Sequence, residues 1–97
     1  MRRLLVAGNW KMHGSSKMTT ELIEGVTAKV IAQSNSKPLP YDVMVCPSSP
    51  YLAHATGVTT ESGAIKVGAQ TVSEFDKGAY TGEVSLSMLS ELSLIHI

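Results

Sequence analysis

The sequence predicts an α/β fold built around a parallel sheet, and three observations support that prediction. Apolar runs without alternation at residues 4–7 and 43–46 are typical of strands buried on both faces. Between these runs, apolar residues recur at the three-to-four spacing of an amphipathic helix. Strand and helix patterns then alternate along the chain, which favours parallel strands joined by right-handed crossovers. We expect one domain, or a piece of one, over residues 1–97.

The first strand, at residues 4–7, ends at Gly8, and the first helix follows a small-residue break at 14–16. Two prolines among the turn formers of residues 35–40 end that helix near Ser34. The predicted apolar stripe of the helix consists of Met18, Leu22, Val26 and Val30, with Ile23 and Ile31 beside them.

The second strand, at residues 43–46, is stopped by a Pro-Ser-Ser-Pro segment. A short helix is predicted at residues 51–55, before Gly57. Residues 65–69 then predict a third strand, in which Gly68 permits a close approach of another backbone segment.

The last third of the chain combines a long loop with a capped helix. Residues 70–84 show no periodicity, and loops of that length in compact domains are usually functional or disordered. Phe75 and Tyr80 favour an ordered loop that contacts a partner or a ligand. Ser85 has the residue type of a helix N-cap. The apolar residues of the helix that follows are Leu86, Met88, Leu89 and Leu92.

Composition excludes several classes of function. The chain has 97 residues, 43% of them apolar and 16% charged, and a formal net charge of zero. This balance is globular and gives no electrostatic reason to expect nucleic acid or a membrane surface as a partner. No apolar run is long enough for a signal peptide or a membrane span, and the single Cys46 requires no oxidising compartment. We therefore expect a cytoplasmic protein.

Asn9 and Lys11 are the candidate site residues that the sequence alone provides. They follow the first strand at a spacing of two, so in a continued extended conformation both project from the same side of the chain. The carboxyl end of a parallel strand is where α/β folds bind ligands, and an amide beside an ammonium suits a small anionic or carbonyl substrate. The alternative is an Asn-containing turn followed by a solvated lysine.

Other reactive residue types give no pattern of a metal or nucleotide site. His13, His54 and His96 lack metal-ligand spacing with each other or with Cys46, so no metal site is expected and each is interpreted as structural. The glycine segments do not match nucleotide-binding loops, so ATP and NAD are not implied. Glu83 is interpreted as an ion-pair or interface residue, although its type also suits a general base.

Three segments together resemble the triosephosphate isomerase family. The segment Gly-Asn-Trp-Lys-Met-His-Gly at residues 8–14 is similar to that family's first strand end, and residues 46–52 are similar to its second. Gly-Ala-Gln at 68–70 and Gly-Ala-Tyr-Thr-Gly-Glu-Val-Ser at 78–85 resemble its long third loop. Three blocks in the correct order and spacing are more specific than any one of them.

The resemblance implies the N-terminal portion of a (β/α)8 TIM barrel of roughly 250 residues, about two-fifths of which this chain covers. Roughly three β/α units are expected, with residues 94–97 as the start of the fourth strand. The implied reaction interconverts dihydroxyacetone phosphate and glyceraldehyde 3-phosphate through an enediol(ate) in glycolysis and gluconeogenesis, without a cofactor. The lysine that matches Lys11 stabilises negative charge and binds substrate, and the asparagine that matches Asn9 hydrogen-bonds the substrate.

The resemblance also implies a homodimer, in which the third loop inserts into the partner and Thr81 approaches the partner's active site. The positions implied to form the interface are Met12, Gln70, Thr81, Gly82 and Glu83. The family's catalytic histidine and glutamate match no residue of this sequence, and His96 does not occupy the histidine position. The 97-residue chain alone is therefore expected to be inactive.

Two alternatives stay open at this point. One is a non-catalytic short product that docks on full-length subunits through residues 70–85. The other is an unrelated flavodoxin-like domain with an anion site at Asn9 and Lys11. Ser93 stands where the family commonly has glycine, so the similarity weakens at the end of the chain.

Overall fold

The computed structural model describes residues 3–35, 37–60 and 63–92. Its three strands, β1 (Leu4–Asn9), β2 (Tyr41–Cys46) and β3 (Lys66–Val67), form a sheet of order β1-β2-β3 with parallel pairing. The α/β class with parallel strands is confirmed. The predicted fourth strand and His96 lie outside the described residues. Within these ranges, no helix combines the length and the apolar character needed to cross a bilayer.

The register brings the carboxyl ends of the strands to one edge of the sheet. β1 and β2 pair residue by residue, from Leu4 opposite Tyr41 to Asn9 opposite Cys46. β3 pairs with the end of β2, because Val67 lies opposite Val45. The segments that leave β1, β2 and β3 therefore start side by side, which is the arrangement that places a site at this edge.

The first helix, α1 (Ser16–Ser34), has the predicted end and identifiable caps. The Ser15 hydroxyl accepts a hydrogen bond from the Met18 N–H at 3.0 Å, which satisfies one of the free donors of the first turn. Asn35 ends the helix in the left-handed conformation, which asparagine tolerates better than most residues.

The buried face of α1 differs from the predicted stripe. Ile23 and Thr19 are fully buried, whereas Leu22 and Ile31 are exposed. Thr19 tolerates burial because its hydroxyl donates to the Ser15 carbonyl at 2.7 Å, so no polar atom is left unsatisfied. The prediction was correct for Ile23, which belongs to the core cluster, and for Met18 and Val26, which pack against it, and it was wrong for Leu22 and Ile31.

The second helix is longer than predicted. A 3-10 turn (Ser49–Tyr51) leads into α2 (Leu52–Thr60), which continues through Gly57. The prediction that the helix ends before Gly57 was wrong, because a single glycine costs only about 1 kcal/mol in a helix interior. Buried Leu52 and Ala55 supply packing that offsets this cost.

The third strand is shorter than the predicted 65–69, since ladder pairing is confined to Lys66–Val67. A close approach is observed at Gly68, but it is to side chains of β2 and not to a backbone segment as predicted. A Cβ at Gly68 would lie 2.8 Å from Met44 Sδ and 3.2 Å from Cys46 Sγ. Only glycine fits there without displacing a side chain of β2.

The last helix, α3 (Leu86–Glu91), begins at the predicted N-cap. The Ser85 hydroxyl accepts from the Met88 N–H at 3.2 Å. Leu89 is buried, whereas Leu86 and Met88 are exposed, so only part of the predicted apolar set enters the core. The buried cluster combines residues of the three helices with residues of β2, β3 and the segments beside the strands, and contains Trp10, Ile23, Val45, Leu52, Ala55, Ile65, Val67 and Leu89.

β1 is exposed along its whole length, in contrast to the predicted burial on both faces. Leu4 is 73% exposed, and Leu5 and Val6 are also exposed. Within the described residues, β1 and β3 are the edge strands of the sheet, and each pairs on one side only, with β2. The core cluster takes its strand residues from β2 and β3, which is why the same apolar pattern is buried in β2 and exposed in β1.

An ion-pair cluster joins the amino ends of the three strands and gives a testable pKa. Arg3 Nη2 donates to Asp42 Oδ1 at 3.1 Å, and Lys66 Nζ lies 3.7 Å from Asp42 Oδ2. The Arg3 hydrogen bond is the main cause that holds the Asp42 pKa below its ordinary value of 3.8, against a smaller opposing effect of burial. Because the folded pKa is below the unfolded one, ionised Asp42 stabilises the fold above about pH 4, and this contribution is lost as the pH falls through the folded pKa.

NMR titration of the Asp42 carboxyl carbon is therefore expected to give a pKa below 3.8, and Arg3→Gln should raise it. Lys17→Gln, which removes an exposed cation of α1, is the control and should leave the Asp42 pKa unchanged. A pKa of 3.8 or higher in the unsubstituted protein would contradict the ion-pair assignment.

Candidate active site

The candidate site lies at the carboxyl edge of the sheet, where the chain leaves β1 and β2. Asn9 ends β1 opposite Cys46, and the Trp10 N–H continues the ladder by donating to the Cys46 carbonyl at 3.1 Å. Trp10 is buried, so the chain is anchored in the core directly before Lys11. Lys11 and Met12, which follow the buried Trp10, are exposed to solvent.

The backbone of Lys11 is left-handed, with φ of 53°. The predicted extended continuation from Asn9 to Lys11 was therefore wrong, because the chain turns at Lys11. The Asn9 side chain causes part of this turn, since its Oδ1 accepts from the Lys11 N–H at 2.8 Å. Asparagine commonly makes this bond to the backbone two residues further on.

Two side chains from distant parts of the sequence hold the carbonyl of Lys11. Ser48 Oγ donates to the Lys11 carbonyl at 2.8 Å, and Gln70 Nε2 donates to the same oxygen at 2.8 Å. Gln70 Nε2 also donates to the Cys46 carbonyl at 2.9 Å. Both the N–H and the C=O of Lys11 are thus hydrogen-bonded inside the chain. We refer to the Ser48 and Gln70 donors as the carbonyl clamp.

The groups left available at this edge are an ammonium and an amide N–H. Among the described residues, the cations in ion pairs are Arg3, Lys17 and Lys66, so Lys11 has no carboxylate partner there. The Asn9 oxygen is occupied by the Lys11 N–H, and no described residue accepts from Asn9 Nδ2. The arrangement presents one full positive charge and a directional donor, which suits an anionic oxygen ligand.

The loop of residues 70–85 is held together by its own contacts. The rings of Phe75 and Tyr80 stack with centroids 4.4 Å apart and planes 4° from parallel. The Ser73 N–H donates to the Val84 carbonyl at 2.8 Å, which closes the base of the loop. Gly82 has φ of 87°, which favours glycine at that turn. The aromatic rings therefore contact each other within the chain, and both remain exposed.

A family model described as triosephosphate isomerase matches residues 4–97. The chain belongs to the triosephosphate isomerase family. It is 45% identical over all its 97 residues to the triosephosphate isomerase of Dechloromonas aromatica. It is 44% identical to that of Herminiimonas arsenicoxydans and 36% identical to that of Alkalilimnicola ehrlichii, again over 97 residues. In each case the match covers 36% of the relative, so the chain spans about a third of the length of these relatives.

Family membership explains the architecture. The parallel strands and their helices are the first part of a (β/α)8 barrel, as predicted. In a closed barrel every strand has a neighbour on both sides, so an edge position for β1 is a property of the described segment. The site at the carboxyl edge agrees with the general location of active sites in these barrels.

The residues implied to form a triosephosphate isomerase dimer interface lie in two places. Gln70 lies at the carboxyl edge of the sheet, where its carboxamide forms part of the carbonyl clamp. Thr81, Gly82 and Glu83 form the exposed turn of the loop, where the Glu83 N–H donates to the Tyr80 carbonyl at 3.0 Å. Met12, directly after Lys11, is 93% exposed.

Within the described part of the chain, His13, His54 and Cys46 form no further site. His54 Nε2 lies 2.7 Å from Thr20 Oγ1, so it joins α1 to α2. His13 is exposed, and the described residues contain no group of three or more metal-ligating side chains. Burial raises the pKa of the Cys46 thiol, so this residue behaves as a small apolar side chain.

Sequence reasoning missed Ser48. The triosephosphate isomerase resemblance includes its segment, but residue type and spacing gave no reason to choose this serine over Ser49. The available signal was its position two residues after the end of β2, at the edge where Asn9 also lies. Its contact with Lys11 spans 37 residues and depends on the register of β1 and β2.

Proposed function

We propose that this chain is the first third of a triose-phosphate isomerase, which interconverts dihydroxyacetone phosphate and D-glyceraldehyde 3-phosphate without a cofactor. The observation that carries the proposal is that Lys11, two residues after Asn9 at the carboxyl end of β1, has no ion-pair partner among the described residues. It is supported by the family of the chain. In a cell this activity belongs to glycolysis and gluconeogenesis in the cytoplasm.

Lys11 would act through its charge. A triose phosphate is a dianion near neutral pH, and removal of a proton from carbon places further negative charge on the enediolate oxygen. A fixed ammonium beside that oxygen stabilises the charge as it develops, and Asn9 Nδ2 orients the substrate by donating a hydrogen bond. The step moves a proton from one carbon to the next and requires no oxidant or reductant.

The proton transfers themselves need groups from the rest of the protein. Triosephosphate isomerase is a standard example of tuned acid–base chemistry, with a glutamate base and a neutral histidine electrophile. Charge stabilisation by Lys11 does not replace a group that removes a proton from carbon. We therefore propose that the 97-residue chain alone is inactive.

The experiment is a hybrid in which residues 1–92 replace the matching third of the Dechloromonas aromatica relative. The hybrid is assayed for isomerisation of dihydroxyacetone phosphate beside the intact relative and the separate 97-residue chain. We expect activity within about tenfold of the relative for the hybrid, since the proposed charge and donor are kept, and none for the separate chain. A hybrid with a folded circular dichroism spectrum and no activity would contradict the proposal.

We further propose a homodimer whose interface uses Met12 and the loop of residues 70–85. Met12 presents an apolar side chain to solvent next to Lys11, and Val72, Phe75 and Tyr80 are exposed apolar residues of the loop. A contiguous exposed apolar patch marks an interaction surface, and the proposal is that these side chains form such a patch. The alternative of a short product that docks on full-length subunits would use the same surface.

Met12→Asp is expected to shift the hybrid from dimer towards monomer in sedimentation velocity, because a carboxylate would have to be buried in an apolar contact. Ile31→Asp on α1, also at an exposed apolar residue, is the matched control and should leave the dimer unchanged. A dimer that tolerates Met12→Asp at micromolar concentration would exclude this surface. Native mass spectrometry of the short chain mixed with the hybrid tests the alternative, for which a heterodimer is required.

A further inference from the structure

The backbone conformation of Lys11 needs support from outside its own segment. A left-handed φ of 53° is unfavourable for a residue with a Cβ and persists where the surroundings hold it. The Asn9 to Lys11 hydrogen bond holds the N–H side of the residue. Among the residues that the structure describes, the groups that hold the carbonyl side are 37 and 59 residues away in sequence.

We propose that Ser48 is a positioning residue for Lys11, whose hydroxyl fixes the Lys11 carbonyl and thereby the direction of the ammonium. The proposal rests on the proposed function, because Lys11 must be the group that meets the substrate. A carbonyl oxygen has two lone pairs, and Ser48 and Gln70 each occupy one at 2.8 Å. Rotation of the peptide away from this orientation breaks both bonds together.

The position of Ser48 supports a dedicated role. It is the N-cap residue of the 3-10 turn Ser49–Tyr51, yet its side chain makes no capping bond to that turn. The hydroxyl is instead donated to Lys11. The preceding Pro47 is fully buried, so Ser48 is attached to a rigid point of the fold.

Ser48 is a cleaner test than its partner in the clamp. Gln70 also donates to the Cys46 carbonyl, so its loss would disturb the end of β2 as well as Lys11. Among the described residues, Ser48 Oγ makes one hydrogen bond, to the Lys11 carbonyl. Removal of this hydroxyl therefore removes one interaction with the proposed site.

Removal of the Ser48 hydroxyl is expected to raise KM and to leave kcat nearly unchanged. Without the Ser48 bond, Lys11 spends part of its time outside the competent conformation, and substrate binding must first restore it, which raises KM in inverse proportion to the competent fraction. In the hybrid, Ser48→Ala should raise KM for dihydroxyacetone phosphate by about threefold to tenfold, the effect of one hydrogen bond. The value of kcat should change by less than about twofold.

Two further variants separate positioning from general stability. Ser48→Thr keeps the hydroxyl and should restore KM to within about twofold of the unsubstituted hybrid. Ser49→Ala removes the neighbouring exposed hydroxyl and should leave KM and kcat unchanged. A merely structural role of Ser48 would lower the active fraction, so kcat would fall while KM stayed constant, and that result would overturn the proposal.

A crystal structure of the Ser48→Ala hybrid provides a readout that does not depend on activity. Movement of Lys11 out of the left-handed region, or a loss of order at its carbonyl, supports the clamp. A Lys11 φ that stays near 53° with an unchanged side-chain direction overturns it. An inactive but folded unsubstituted hybrid would contradict the proposed function instead, and the Lys11 geometry would still decide the role of Ser48.

Discussion

Replacement of Lys11 by methionine is expected to lower kcat/KM of the hybrid by about 10²- to 10³-fold, the size of effect seen when one preorganised charge-stabilising group is removed. Methionine keeps most of the length of the side chain and removes its charge. The substrate dianion would lose its cation at this edge of the sheet, where the described residues offer Lys11 no ion-pair partner to compete with it. Steady-state assays with dihydroxyacetone phosphate measure the change.

Lys17→Met is the matched control, since Lys17 is also an exposed lysine close to β1 in sequence. Its side chain is 83% exposed, and its Nζ lies 4.0 Å from Glu21 within the same helix, so it belongs to the solvated face of α1. Its replacement should leave kcat/KM within about twofold of the value for the unsubstituted hybrid. A Lys11→Met hybrid that keeps more than a tenth of the activity would show that the ammonium does not carry the proposed charge stabilisation.

Ile23→Ala is expected to lower the free energy of unfolding of the hybrid by about 2–5 kcal/mol, the range found for buried isoleucine or leucine truncations. Ile23 is 0% exposed and belongs to the cluster that joins α1 to the sheet. Its removal loses buried apolar area and leaves a cavity that the surrounding residues fill only in part. Urea unfolding followed by circular dichroism, at one fixed protein concentration, measures the difference.

Leu22→Ala is the control for this prediction, because Leu22 is the adjacent residue of the same helix and is 40% exposed. Leu22→Ala should lower the free energy of unfolding by less than about 1 kcal/mol, since much of the Leu22 side chain already contacts water. Equal losses for the two variants would contradict the placement of the α1 core face at Ile23. Such a result would favour the stripe through Leu22 that the residue pattern alone indicates.

The residue pattern predicted elements well where the signal is local. The bounds of α1 follow from Ser15, Asn35 and the prolines after it, all of which act within a few residues of the helix ends. The cap at Ser85 was predicted for the same reason. The helix at Leu52–Thr60 was underestimated, because the penalty of one glycine is small beside the packing of Leu52 and Ala55.

Burial was less predictable than element type. Met44 and Val45 in the apolar run of β2 are buried, whereas the apolar run of β1 is exposed, because the core cluster takes its strand residues from β2 and β3. On α1, Thr19 is buried and Leu22 is exposed. Burial of Thr19 is possible because its hydroxyl donates a hydrogen bond to the Ser15 carbonyl. The spacing of apolar residues predicts that a helix has a buried face, but it does not determine which of two adjacent residues is buried.

The sequence by itself determined the α/β class, the family, and Asn9 and Lys11 as candidate site residues, because residue type and order along the chain carry this information. The tertiary structure alone decided that Lys11 is left-handed and that Ser48 and Gln70 hold its carbonyl. The physical reason is the distance along the sequence over which each interaction acts. Propensities and caps act over about four residues, whereas these hydrogen bonds join groups 37 and 59 residues apart that only the parallel register of the sheet brings together.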